Sequence, residues 1–170
     1  TTNELINEIT TFCQTKQHTQ PCPKRVFLGT GQGAQYLNMG QNLYQNYPVF
    51  QQSMDNSANQ LQNYGLTNIL EIIYPKQPTD AAKNALEQTQ MTQPALFAFE
   101  YAMAQLWNHY GIHADAYIGH SIGELVVATL AGVMTVNQGL ALIYHRAKLM
   151  QSLPPGGSMA AVMANKQDLT

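Results

Sequence analysis

Residues 116–130 read AYIGHSIGELVVATL. A short apolar strand, Ala116-Tyr117-Ile118, passes straight into a helix with only a glycine-flanked turn between them. Few architectures accept so abrupt a handover. It needs a sheet whose strand ends feed helices that pack back on it, with small residues where the two backbones meet. The same grammar occurs upstream, where Val26-Phe27-Leu28 ends in Gly29-Thr30-Gly31-Gln32-Gly33-Ala34-Gln35. Strands alternating with helical patterns predict an α/β fold, a parallel sheet flanked by helices.

Gly119-x-Ser121-x-Gly123 has the form of a nucleophile elbow. A serine in that turn lifts its hydroxyl above the sheet edge. The helix that starts there aims backbone N–H groups and a positive dipole end at the reacting oxygen. The Ile122 N–H is then the first donor for an oxyanion. Ser121-x-x-Glu124 is equally a capping box, in which serine only caps a helix. A strand before it, a helix after it and a second loop at Gly31-Gln32-Gly33 favour the elbow. His120 adjoins the serine, but neighbouring side chains at a strand end diverge, so it is read as supporting or packing rather than as a base.

The remaining pattern fills in an ordinary domain. Residues 1–24 read as a linker or arm, and 25–155 as an α/β core. Leu43 to Leu61 reads as a solvated helix, and Ile69 to Tyr74 as an apolar segment stopped by Pro75. A helix is predicted over Thr92 to Tyr110, with Pro94 in its first turn and Leu96, Phe99, Met103, Leu106 and Tyr110 on one face. Another is predicted from Asn137 to Met150, with Leu140, Ile143 and Ala147 inward. Pro154-Pro155-Gly156-Gly157 breaks the chain, and Met159 to Met163 reads as a buried strand. Only 11% of residues are charged, with 19 Gln and 13 Asn in their place. A net charge of −2 offers no clustered basic surface for nucleic acid, and no window suits a membrane span or signal peptide.

Other motifs carry less. Gly29-x-Gly31-x-x-Ala34 matches a dinucleotide fingerprint by letter, yet its acidic partner would be Asp55, inside a helical stretch and not at a strand end. Cys13 and Cys22 read as free cytosolic thiols, since nothing at ligand spacing accompanies them. His109 and His113 are separated by Gly111, which should end their helix, so no metal site is expected.

Four motifs in order, Gly31-Gln32-Gly33-Ala34-Gln35, Thr92-Gln93-Pro94-Ala95-Leu96, Gly119-His120-Ser121-Ile122-Gly123-Glu124 and Arg146, 25 residues after the serine, resemble the acyltransferase domains of modular polyketide synthases. These are relatives of the malonyl-CoA:acyl carrier protein transacylases of fatty-acid synthesis. The resemblance runs from about Arg25 to the end. It implies an α/β-hydrolase-like core with an inserted ferredoxin-like subdomain, which residues 156–170 would open. It implies that Ser121 is the acyl-carrying nucleophile, that Gln32 and Ile122 supply the oxyanion donors, and that Arg146 clamps a substrate carboxylate. Gln93 and His120 would support that site. No bound cofactor is implied. The substrate it implies is malonyl-CoA, and the implied acceptor is the phosphopantetheine thiol of an acyl carrier protein. Neighbouring synthase domains, a ketosynthase among them, and a cytoplasmic location complete the expectation. Ile122, apolar and branched after the serine, goes with malonyl units in this family.

Two departures stand out. Gly29 replaces a bulkier apolar residue, which predicts that the first strand ends early. The family's catalytic histidine lies well past the elbow, and none of the five histidines here matches it. Together with an opening Thr1 in place of Met, this predicts the N-terminal part of a longer catalytic unit. The alternatives are a non-catalytic docking module and a serine hydrolase or thioesterase.

Overall fold

In the computed structural model, which describes residues 24–154, 162–165 and 167, two parallel strands carry the site. β1 (Val26–Gly29) pairs with β2 (Ala116–Gly119) in the register Val26↔Ala116 through Gly29↔Gly119. Phe27 and Tyr117 meet edge to face across the ladder, with centroids 6.1 Å apart. Between and after the strands come α1 (Gln41–Asn46), α2 (Pro48–Asn63), α3 (Ile69–Ile73), α4 (Asp80–Glu87), α5 (Thr89–His109), α6 (Ile122–Leu130) and α7 (Val136–Gln151). This is an α/β core, a parallel sheet flanked by helices, as the alternating pattern predicts.

Gly29 stays in the ladder, so β1 does not end early. The reason for glycine lies across the interface, because a Cβ at Gly29 would stand 2.7 Å from the Gly123 carbonyl oxygen. The departure from a bulky residue is therefore matched by the approach of α6. Gly123 is bound by the same contact, and its own Cβ would stand 2.7 Å from the Thr30 carbonyl oxygen. Both obstacles are backbone and cannot swing away. Gly123→Ala is expected to destabilise the fold by about 1–3 kcal/mol, the usual range for overpacking, read as a lowered midpoint in chemical denaturation.

The stretch from Leu43 to Leu61 is two helices and not one. Pro48 has no N–H to give, sits at the first position of α2 and holds Tyr47 extended (φ −123°, ψ 100°). Nor is α2 merely solvated, since Phe50, Met54, Ala58 and Leu61 are buried against α5. The Ile69 segment is the short helix α3, capped by the Asn68 side chain.

α5 begins three residues earlier than its apolar pattern predicts, which puts Pro94 inside the helix, past the first turn. From Met91 to Ala98 every residue is buried, so this half of α5 is a core element with no polar face. The Thr92 hydroxyl donates to the Leu86 (2.6 Å) and Gln88 (3.1 Å) carbonyls, which allows a polar side chain in that core. At the other end Tyr110 caps the helix and is exposed, unlike the inward position its spacing predicts. α7 buries Leu140, Ile143 and Ala147 as expected. It starts with a true capping box: Thr135 accepts from the Gln138 N–H, and Gln138 accepts from the Thr135 N–H.

The expected strand at Met159–Met163 finds no support where it can be judged. Residues 159–161 lie outside the described residues, while Val162 and Met163 are exposed and irregular. Cys13 and Cys22 also lie outside them. No described helix is long and apolar enough to cross a membrane.

Candidate active site

β2 ends at Gly119 and α6 begins at Ile122, so His120 and Ser121 make the entire turn. Ser121 is thereby held at φ 55° and ψ −107°, a conformation that a residue with a Cβ adopts only when its surroundings impose it. Those surroundings are identifiable. The His120 N–H donates to the Gly29 carbonyl at 3.1 Å, tying the turn to the end of β1. A Cβ at Gly119 would run into the backbone of Gly123 and Glu124.

This geometry separates the two readings of Ser121. Its side chain makes no cap hydrogen bond to α6. Instead Arg146 Nη2, from α7, donates to Ser121 Oγ at 3.1 Å. The Gly123 and Glu124 N–H groups are occupied by the His120 and Ser121 carbonyls. Ile122 opens the helix, its side chain fully buried, and its amide has no such partner in the turn.

Arg146 is held from behind. Its Nη1 donates to Gln93 Oε1, and Gln93, fully buried on α5, donates through Nε2 to Met150 Sδ at 3.3 Å. Gln93, Arg146 and Ser121 therefore form one chain of hydrogen bonds across α5, α7 and the elbow. A guanidinium so anchored presents its remaining donors as a rigid fork, the form that suits a carboxylate.

Gln32 lies on the exposed loop after β1. Its Nε2 donates to Thr89 Oγ1, the first residue of α5, at 3.2 Å, and the Gly33 N–H donates to Gln35 Oε1 at 2.8 Å. The loop abuts the elbow, since a Cβ on Gly31 would stand 2.6 Å from His120 Nδ1. His120 thus packs on the loop. Of the described histidines, 109, 113, 120 and 145, none hydrogen-bonds Ser121. His109 closes α5, and His113 lies beyond Gly111 (φ 74°) with Nδ1 3.1 Å from Asn108 Oδ1. Asp55 sits within α2 and accepts the Tyr44 hydroxyl at 2.6 Å, so it cannot serve the ribose role of a dinucleotide fold.

One site-adjacent residue escaped sequence reasoning. Glu100 of α5 accepts the Thr30 N–H at 3.0 Å and also the Thr30 hydroxyl. Burial raises its carboxyl pKa, and the two Thr30 hydrogen bonds oppose that rise. A lone acid within the apolar run Leu96–Met103 was the available signal.

A strained serine between a parallel strand and a helix, with an anchored arginine on its hydroxyl, has the strand–turn–helix form that a nucleophile elbow takes. Residues 26–169 match the acyl transferase domain family, and the chain belongs to it. It is 38% identical over 146 residues to the mycoketide-CoA synthase of Mycobacterium tuberculosis, a match covering 86% of this chain and 3% of that protein. The acyl transferase domain of ZmaA superposes with a TM-score of 0.76 at 42% identity, covering 81% of this chain and 32% of that one. A type II PKS acyl-carrier protein in complex with its malonyl-transacylase (PlMCAT:AntF) gives 0.68 at 28% identity, covering 78% and 40%. The chain thus spans a small fraction of that synthase and about a third of the solved domain of ZmaA.

Proposed function

We propose that this chain carries the nucleophile and carboxylate clamp of an acyltransferase that moves a malonyl-type unit from coenzyme A to the phosphopantetheine thiol of an acyl carrier protein. The hydrogen-bonded line from Gln93 through Arg146 to Ser121 Oγ carries the reading. It puts a fixed cation within one hydrogen bond of the nucleophile, where an acyl group bearing a free carboxylate would meet both. A hydrolase of neutral esters has no use for that cation.

The reaction has two halves. Ser121 Oγ attacks the thioester carbonyl carbon, the C–O bond forms, the C–S bond breaks, and coenzyme A leaves as the thiol. The pantetheine thiol then attacks the acyl-serine ester, a C–S bond forms, the C–O bond to Ser121 breaks, and the thiol's proton ends on the serine oxygen. The Ile122 and Gln32 N–H groups hold the oxyanion in both halves. A histidine supplied by another part of the acyltransferase domain is the general base, since no described histidine bonds Ser121. The acyl-carrier partner of the malonyl-transacylase neighbour supports a carrier protein as acceptor here, and the length of the synthase relative, only 3% of it matched, supports neighbouring synthase domains. A ketosynthase among them rests on the family resemblance alone.

The test is direct. The full-length protein, mixed with malonyl-CoA, should gain one malonyl group on Ser121 by intact mass and lose it to a holo carrier protein. Loss of the acyl group to water at the same rate with and without carrier protein would make the protein a hydrolase. No adduct would favour a docking module.

A further inference from the structure

The two halves of the oxyanion arrangement are set up very differently. The Ile122 donor sits at the start of a helix and is fixed by it. Gln32 sits on a loop between Gly31 and Gly33, and Gly33 lies at φ 117° with open space where a Cβ would stand. Glycines on both sides give that loop freedom, so the direction of the Gln32 N–H must be set by anchors outside it. The structure contains such anchors, and both lie on α5. At one end of the loop Thr30 gives its N–H and its hydroxyl to Glu100. At the other, the Gln32 side chain reaches Thr89, eleven residues earlier on the same helix.

Glu100 is an unusual residue to find there. Its Oε2 is buried without a hydrogen-bond partner among the described residues, and it lines an apolar cavity of about 360 Å³ with Leu28, Phe99, Trp107 and Val127. A half-satisfied acid among such neighbours is costly for folding alone. One carboxylate oxygen nevertheless takes two donors from a single residue, and that residue is the hinge between β1 and the loop.

We propose that Glu100 is a positioning residue for acyl transfer: by gripping Thr30 through both donors it fixes the loop that aims the Gln32 N–H at the developing oxyanion. The proposal rests on the acyltransfer reading above. On it, α5 serves as a common rail, with Gln93 setting the arginine and Thr89 and Glu100 setting the loop. Loosening the grip leaves Ser121, Ile122 and Arg146 in place and misdirects one donor, which affects the transition state more than bound substrate.

The test compares Glu100→Leu, Glu100→Gln and Thr30→Val in the full-length protein. Leucine removes the acceptor, glutamine keeps an acceptor oxygen, and valine removes the hydroxyl while keeping shape. Glu100→Leu is expected to lower kcat for malonyl transfer by about tenfold or more, with KM for malonyl-CoA held within about twofold. Thr30→Val should move the same way by less, and Glu100→Gln should restore kcat to within about threefold of wild type. Hydrogen–deuterium exchange at residues 30–35 should rise in the leucine and valine variants and not in glutamine, a readout independent of turnover. If Glu100→Leu does not fold, the valine variant decides. Unchanged exchange and kcat in folded Glu100→Leu or Thr30→Val, a loss confined to KM, or glutamine as impaired as leucine would each overturn the proposal. A wild type that takes no malonyl on Ser121 overturns the acyltransfer reading instead, and exchange then still judges the grip on the loop.

Discussion

Ser121→Gly is expected to abolish acylation and yet fold more stably than Ser121→Ala. Either change removes the hydroxyl, and with it the acyl-serine route. Transfer should fall by about 10⁴-fold or more, the scale seen when a nucleophile of this kind is lost. The two variants also lose the Arg146 hydrogen bond equally, so that term cancels between them. They differ at the backbone. The turn holds residue 121 at φ 55°, ψ −107°, where a Cβ is crowded by its own peptide groups, and such positions are strained by about 1–3 kcal/mol. Glycine releases that strain but loses about 0.5–1 kcal/mol to its greater freedom in the unfolded chain. The difference leaves Ser121→Gly ahead of Ser121→Ala by about 1 kcal/mol, or roughly 2–4 °C in Tm. Thermal denaturation of the two, with acylation by malonyl-CoA followed by intact mass, checks both halves. Equal stabilities would mean that the turn is relaxed, and that the close contacts among Gly29, Gly119 and Gly123 do not force it.

That strain explains why the elbow was the most legible part of the molecule. Its constraints are local: glycines at 119 and 123 where backbones touch, a serine between them, a strand before and a helix after. Residues within five positions carry the whole message, and the letters alone left open only whether the serine caps the helix. The inward positions of α7 were legible for a like reason, as one periodic face meets one core. What failed was decided at longer range. Pro48 splits a helix whose Gln-rich composition hid both the break and the buried face of Phe50 and Met54. α5 starts early because its first half is buried on every side, which removes the periodicity that marks a boundary. Tyr110 has the spacing of a core residue but falls past the last turn. Gly29 is a departure from the family that only its contact with Gly123 accounts for, 94 residues away. Glu100 is the plainest case. A single acid in an apolar helix signals a buried partner, but nothing in the sequence names Thr30, 70 residues earlier.

Arg146 offers the largest expected change in substrate choice. It is set in hydrogen-bond contact with both Ser121 Oγ and a wholly buried amide, that of Gln93. Its substitution has two separable effects. The first is shared by every acyl donor: Ser121 loses a partner, and Gln93 Oε1 is left without its donor in the core, which lowers stability by about 1–3 kcal/mol. The second acts only on donors with a free carboxylate. A hydrogen bond to a charged group contributes about 1.5–3 kcal/mol, so the malonyl-over-acetyl preference in kcat/KM should fall by about 10- to 100-fold in Arg146→Ala. Arg146→Lys keeps the charge but offers a point in place of a fork, and it cannot serve both Gln93 and a substrate carboxylate. It should recover only part of the preference. Gln93→Leu should weaken the preference less than either, because it frees the guanidinium without deleting it. The ratio of malonyl to acetyl transfer cancels the shared loss and isolates the carboxylate contact. If Arg146→Ala lowers both transfers equally, the arginine serves the nucleophile alone, and malonyl selection must be sought elsewhere in the domain.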